Sequence, residues 1–405
     1  MLYRPRLPDG RKVPLSWPIA LFRLTNNICW PLEENASWLA VVFDRFCWYL
    51  AFILFVITND AEFRYLRVNI NNLDEMLTGV PTYLVLIEIH LRAFTLGWRK
   101  QDFRRLLEKF YRQIYIESSL HPTIFKNIRS QLMPIFVLSS LYLSALISYV
   151  ILPIYFLSIG SRELMYKMIP AFDYSPLWIY LLCCLSNLWI GVIVATMMLG
   201  EATVLSTLVF HLNGRYLMMR EKLMAKVDVV LEKKKRDNGN QHIAAEYNKI
   251  LVETLQENVA LNTFAQEIQR EYSFRLFVIV AFMAASLCGL GFKVYTSPMT
   301  SIGYIFWAIG KIQEILAIGT MGSTIVTITN QISSMYYESN WELVVFQSED
   351  SKSNARLMKL VQLAIATNSK PFCLTGLNFF TISTTTALAI LQGASSYFTF
   401  LISLR

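Results

Sequence analysis

The chain has 405 residues, of which 54% are hydrophobic and only 16% charged, with a formal net charge of +8. Soluble domains carry roughly 25% charged residues, and long uncharged runs such as WYLAFILFVI and LFVIVAFMAASLCGLG exclude an ordinary soluble enzyme and point to a polytopic membrane protein. The positive excess needs no nucleic acid, because it collects in two blocks between apolar runs, WRKQDFRRLLEKFYRQ and REKLMAKVDVVLEKKKR, as in cytoplasmic loops of membrane proteins.

The opening MLYRPRLPDGRKVPLSWP is basic but has no apolar core of a signal peptide, so residues 1–37 are expected to stay in the cytosol. The sequon at Asn35 would then go unused. Spans are expected at 38–57, 73–96, 132–157, 177–207, 274–294, 302–328 and in the closing segment 376–405, each near the roughly 20 residues that cross a bilayer. Glu88, His90 and Arg92 interrupt the second span, and hydropathy alone barely accepts it. Two readings stand there: a wet edge of the bundle near the cytosol, or a functional site, since intramembrane charges are costly. Lys311 and Glu314, three apart in the sixth span, are spaced to pair, as a structural ion pair or as part of a transport site.

With the N-terminus inside, the regions 99–129, 215–236 and 352–370 are cytosolic. The outer loops then hold only scattered cations such as Arg162, Lys167 and Lys293, in accord with the positive-inside rule. Seven spans place Arg405 outside. Helical extensions of the fourth and fifth spans are expected over 208–273 in the cytosol, either as surface helices on a loop or as a packed layer where subunits meet. Ile250, Leu251, Leu255, Val259, Leu261 and Phe264 give it an apolar stripe, and DNGNQ makes its tip. A further anchor segment occupies 329–375.

The six cysteines lack metal-ligand spacing and are expected as free, packed thiols. The four histidines are scattered over different segments, and no protease, hydrolase or nucleotide-binding motif is present, so no catalytic residue, metal or cofactor is assigned. The last segment, TISTTTALAILQGASSYFTFLISLR, is different in kind. Thr381, Thr385, Leu388, Gln392, Ser396, Thr399 and Ser403 recur at helical spacing and share a face. Back-bonding to the helix accounts for one or two of these hydroxyls. A stripe the length of a span is better explained as the lining of a water path, which several copies around an axis would enclose. Phe400 borders it as a hydrophobic constriction that gates by dewetting.

The chain resembles the insect odorant receptor family along its whole length. The resemblance is carried by MGSTIVTITNQISSMYYESNW, with Tyr337 and Trp341 at Tyr-x-x-x-Trp spacing, and by KPFCLTGLNFFTISTTTALAILQGASSYFTFLISLR. ELMYKMIPAFDYSPLW adds Pro170, Phe172, Asp173 and Tyr174. It implies an all-α fold of seven transmembrane helices, N-terminus cytosolic, with a cytosolic helical anchor layer. It also implies an odorant-gated, non-selective cation channel in the plasma membrane of olfactory sensory neurons, assembled as a heterotetramer with the odorant receptor co-receptor. Its partners would be a small volatile odorant, membrane lipid and permeating cations. Matched without gaps from Phe379 and Phe380 to the end, the co-receptor's gate valine falls on Phe400 and a pore glutamine on Ser403. With its shorter loop after the fourth span, the chain resembles a tuning subunit. The pore set is Gln392, Ser396, Thr399, Phe400 and Ser403.

The family's ligand pocket lies among the outer halves of spans two, three, four and six. Counting back from Trp341 places Gly303, Phe306 and Trp307 on one wall. Helical faces select Pro81 and Thr82, Ser144 and Ser148, and Leu182, Ser186 and Ile190 for the others. A gustatory receptor of the same architecture and a secondary transporter are the alternatives. The ending SSYFTFLISLR departs from the gustatory pattern, and a transporter's internal repeat and broken span pair are not found.

Overall fold

A computed structural model describes residues 1–236, 243–296 and 302–403. The tip DNGNQ and the terminal Arg405 lie outside the described residues. A short helix α1 (Trp17–Thr25) precedes α2 (Trp38–Val68), α3 (Leu73–Trp98), α4 (Lys100–Lys109), α5 (Pro122–Ser158), α6 (Leu177–Arg236) and α7 (Ile243–Thr296). Then come α8 (Ile302–Tyr337), α9 (Trp341–Gln347), α10 (Ser351–Thr367), a two-stranded hairpin of β1 (Thr375–Gly376) and β2 (Phe380–Thr381), and α11 (Thr384–Ser403). A π-helical turn, Phe110–Ile114, continues α4.

Six of these helices, α2, α5, α6, α7, α8 and α11, are long and apolar enough to cross a membrane. The helix α3 falls on the interrupted second span. Its 26 residues reach roughly 39 Å at 1.5 Å per residue, and it packs against α2, α6 and α7. Its charges are therefore not at a wet edge, and that reading of Glu88 and Arg92 is corrected: both are fully buried. Arg92 donates to Glu88 at 2.5 Å and to Glu201 of α6 at 2.6 and 2.9 Å. Lys311 of α8 bonds Glu88 at 2.9 Å and Glu314 at 3.1 Å, and Tyr142 of α5 donates to Glu314 at 2.6 Å. Arg275 of α7 extends the chain from Glu201, at 2.8 Å, to Glu271, at 3.2 Å, and Arg99 closes it on Glu271 at 3.3 Å.

Four carboxylates thus face four cations, and five helices meet at one charge-balanced network. The expected Lys311–Glu314 pair forms, as one edge of this larger assembly. His90 takes no part; its ring packs among Phe52, Phe55 and Phe94, and its Nδ1 lies 3.2 Å from Asn59 Nδ2.

The first 37 residues are built into the fold. Trp30 is fully buried, donates from Nε1 to the Tyr3 carbonyl at 2.8 Å, and meets Phe22 and Phe103 edge-on at 5.7 and 6.0 Å. Asn26 donates to the Ile193 carbonyl at 3.1 Å. This segment therefore locks α1 against α6.

Beyond the expected spans, α6 and α7 run on together, joined by Lys222–Glu257 and Lys226–Glu253 at 2.8 and 2.7 Å. Ile250, Leu251, Leu261 and Phe264 are buried there and Leu255 packs on the core, whereas Val259 is exposed. The stripe is thus divided, with Val259 on the outer surface, where Leu363 and Phe346 are exposed as well.

Removing one member of a buried network leaves its partner charged and unpaired, which costs about 3–5 kcal/mol. Arg92→Met is expected to lower thermal stability and surface delivery sharply. Arg92→Met with Glu201→Met, which keeps the charge balanced, should recover part of the loss. Fluorescence-detected size exclusion of heated, detergent-extracted protein reads both; an Arg92→Met protein as stable as the parent would contradict the assignment.

Candidate functional site: a cavity among four helices and a half-covered last helix

A cavity opens among α3, α5, α6 and α8, lined by Thr82, Val85, Leu86, Tyr142, Ala145, Leu146, Tyr149, Tyr166, Gly191, Val194, Ala195, Met198 and Trp307. Its walls are almost wholly apolar or aromatic. The space is about 60 Å³, roughly four to six water-sized positions, which suits a small ligand.

The aromatic wall is built in steps. Tyr149 of α5 meets Trp307 at 6.3 Å and Tyr304 at 5.6 Å, both edge-on. The segment joining α5 to α6 folds inward as a cover: Leu164 and Met165 are buried, and Ile169 donates its N–H to the Ala61 carbonyl at 2.9 Å. Tyr166 enters the cavity from this cover because residue 191 is glycine; a Cβ there would lie 2.9 Å from the Tyr166 hydroxyl. Farther along the cover, Asp173 accepts from the Ser175 N–H at 2.9 Å and hydroxyl at 2.6 Å, and these bonds hold its carboxyl below the usual range.

Of the residues chosen from the sequence, Thr82 and Trp307 line this cavity. Pro81 is buried and turns toward Gly289 of α7. Gly303 brings α8 close to Ser148 and Tyr149 at the rim. Ser144 and Ser148 are half-buried, and each donates its hydroxyl back along α5, to Ser140 and Ser144 at 2.9 Å. Ser186 does the same to Cys183 at 2.9 Å. Ile190 is buried in the core, Phe306 packs against that core, and Leu182 is exposed on the outside of α6. The tyrosines Tyr142, Tyr149 and Tyr166 were not selected from the sequence. Helical spacing does not reveal which face of α5 meets α8, or that a loop residue would fold inward.

The second feature is α11. The hairpin that delivers it turns through Leu377 and Asn378, both at positive φ (49° and 62°), and Leu377 is pinned by its N–H to the Ser273 hydroxyl at 3.0 Å. The segment entering the helix lies close to α8, where a Cβ on Gly322 would fall 2.2 Å from the Ile382 carbonyl, and the helix itself follows at Gly319, where a Cβ would fall 2.7 Å from that of Ala387. Ala387 and Ala394 are buried against α7 and α8, and Phe398 rests on Gly291. The opposite face is bare. Thr381, Thr385, Leu388, Gln392, Ser396, Thr399, Phe400 and Ser403 are all exposed. Thr399 and Ser403 return their hydroxyls to the Ser395 and Phe400 carbonyls at 2.9 and 2.7 Å.

Only 11% of the α11 span is buried, against 17% for α2, but the exposed faces differ in chemistry. The outer face of α2 carries Leu39, Val42, Phe43, Phe46 and Ile53, which suits lipid tails. The stripe on α11 carries hydroxyls and an amide, which do not.

Comparison with known proteins identifies the family and the fold. A family model described as 7tm Odorant receptor matches residues 72–395. Odorant receptor 74a of Drosophila melanogaster is 40% identical over all of this chain and 99% of its own length. Odorant receptor 35a of the same organism is 38% identical over all of this chain and 98% of its own. The structure of the olfactory receptor OR5 from Machilis hrabei in complex with eugenol superimposes with a TM-score of 0.75 at 10% identity, covering 96% of this chain and 97% of that one. The OR5 structure described without eugenol superimposes at 0.71. At such identity these two matches speak for the fold alone. On the family model and the full-length relatives, the chain belongs to the insect odorant receptor family and is not an enzyme.

Proposed function

We propose that the chain is a tuning subunit of an odorant-gated, non-selective cation channel, assembled as a heterotetramer with the odorant receptor co-receptor. In this reading a small volatile odorant enters the cavity between α3, α5, α6 and α8, and α11 lines a central pore. The observation that carries it is the polar stripe of α11, which a lone subunit leaves uncovered along a membrane-length helix. Neighbouring subunits and a water path would satisfy the stripe; lipid would not. The exposed Val259, Phe346 and Leu363 then form the contacts between subunits in a cytosolic anchor layer, with the N-terminus inside and the last helix ending outside. Gln392, Ser396, Thr399 and Ser403 face the permeating cations, and Phe400 forms the dry point. The remaining pocket choices, Pro81, Ser144, Ser148, Leu182, Ser186, Ile190, Gly303 and Phe306, act at most by supporting the cavity walls.

Two outcomes follow for whole-cell recording beside the co-receptor. Trp307→Ala removes an aromatic wall and should raise the half-maximal odorant concentration roughly 10- to 100-fold, while Leu182→Ala, on the lipid side, leaves it unchanged; equal effects would displace the ligand site. Phe400→Ser should wet the constriction and raise the current without odorant, and Ser403→Lys should reduce cation flux by repulsion. Variants at both positions that reach the surface and conduct like the parent would move the pore away from α11.

A further inference from the structure

A recess of about 480 Å³ lies between the start of α2, the end of α3, the start of α4 and residues 31–36. It stands apart from the cavity described above: Gly97, on its wall, is roughly 22 Å along α3 from Thr82 at 1.5 Å per residue. Charged and aromatic side chains share its walls. Of the aromatics, Tyr49 is 57% and Trp98 80% exposed, as for side chains at a membrane–water boundary. The charges are matched, with one exception. Lys100 holds Asp44 at 2.7 and 2.8 Å. Arg104 meets Glu34 at 3.6 Å and Glu108 at 3.4 Å. Glu33 accepts the Arg4 backbone N–H at 2.9 Å. Arg45 also lines the recess and is exposed, and it has no hydrogen bond or ion pair among the described residues. Val42 and Tyr49, three and four residues away and exposed like it, place it on the face that α2 offers to lipid. One turn on, Trp48 lines the same recess, and its buried indole N–H has no acceptor. Gly97 leaves room for that ring; a Cβ there would lie 2.5 Å from Nε1.

A cation on a lipid-facing helix is costly unless it reaches the interface and finds a counter-charge there. The chain supplies no counter-charge for Arg45, so the membrane has to. A guanidinium is matched to phosphate, which it meets through parallel N–H bonds. The recess also limits the charge of its guest. A phosphodiester carries one negative charge, which Arg45 answers. Further negative charge would face Glu33, Glu34 and Asp44 on the same walls. Beside the recess, Val42, Phe43 and Phe46 offer an exposed apolar surface to acyl chains. We infer that Arg45 binds the phosphodiester of a membrane phospholipid whose headgroup occupies this recess. In the orientation proposed above, the lipid belongs to the inner leaflet.

The test measures lipid bound to the full chain by native mass spectrometry from detergent. Three probes share the same two acyl chains: phosphatidylcholine, diacylglycerol, which lacks the phosphate, and phosphatidylinositol bisphosphate, which carries more charge. Inorganic phosphate is the fourth. The parent should bind phosphatidylcholine roughly 10- to 100-fold more tightly than diacylglycerol, the range for hydrogen bonds to a charged group. The bisphosphate should bind no more tightly than phosphatidylcholine, and inorganic phosphate should not displace it. Arg45→Gln should bring phosphatidylcholine down to the level of diacylglycerol and leave diacylglycerol unchanged. Arg45→Lys, which keeps the charge and loses the fork, should lose only part of the affinity. Arg162→Gln removes an exposed cation from the segment joining α5 to α6 and should change nothing. The inference is overturned if the parent binds phosphatidylcholine and diacylglycerol alike, or if Arg45→Gln binds phosphatidylcholine as the parent and Arg162→Gln do. Displacement by inorganic phosphate overturns it in favour of a free anion, and tighter binding of the bisphosphate overturns it in favour of a multiply charged headgroup.

Discussion

The buried network around Arg92 is the constraint on which the bundle depends. Taking a charge out of water costs several kcal/mol even after relaxation, so each member is tolerable only while its partners hold position. Because those partners come from α3, α6, α7 and α8, with Tyr142 from α5, the network sets the relative register of these helices more strictly than apolar packing alone. Hydrophobic surfaces slide past one another at small cost; a guanidinium shared between two carboxylates does not.

The network also lies under the cavity. Tyr142 donates to Glu314 and lines the cavity on its other side. Lys311 and Glu314 follow Trp307 by about one and two turns of the same helix. A ligand that displaces Trp307 or Tyr142 therefore acts on α8 next to its fixed point, and α8 in turn meets Ala387 of α11 at Gly319 and the Ile382 carbonyl just before α11 at Gly322, where glycine lets the two approach. This is a continuous physical path from cavity to last helix, built from one tyrosine, one helix and one close backbone approach.

Much of this was legible in the sequence, for identifiable reasons. Apolar runs reveal spans whatever their partners, so six of the seven expected spans fall on helices long and apolar enough to cross a membrane, and the interrupted one falls on α3. The α11 stripe was legible because helical spacing is a local property: Gln392, Ser396 and Thr399 share a face wherever the helix lies. What depended on distant partners was not legible. Glu88 meets Lys311 across 223 residues and Arg92 meets Glu201 across 109, so interrupted hydropathy suggested a wet edge where there is a dry core. The N-terminal segment, with Trp30 at its centre, has no periodicity to announce that it packs inside. Most of the pocket was missed likewise, Thr82 and Trp307 being the two of its thirteen lining residues selected, because helical spacing does not show which faces meet, Tyr166 comes from a loop, and Gly191 makes room for it only in three dimensions.

The central claim is that the polar face of α11 meets water in an assembled channel. Single cysteines placed along the helix, with a membrane-impermeant, thiol-reactive cation applied from outside during odorant-evoked current, test it directly. Ser396→Cys and Thr399→Cys, on the exposed stripe, are expected to be modified and to lose current as the added charge blocks cations. Leu391→Cys and Phe398→Cys, packed toward α7 and α8, are expected to be untouched. Modification of both faces alike, or of neither with normal odorant-evoked current, would contradict a pore lined by this helix.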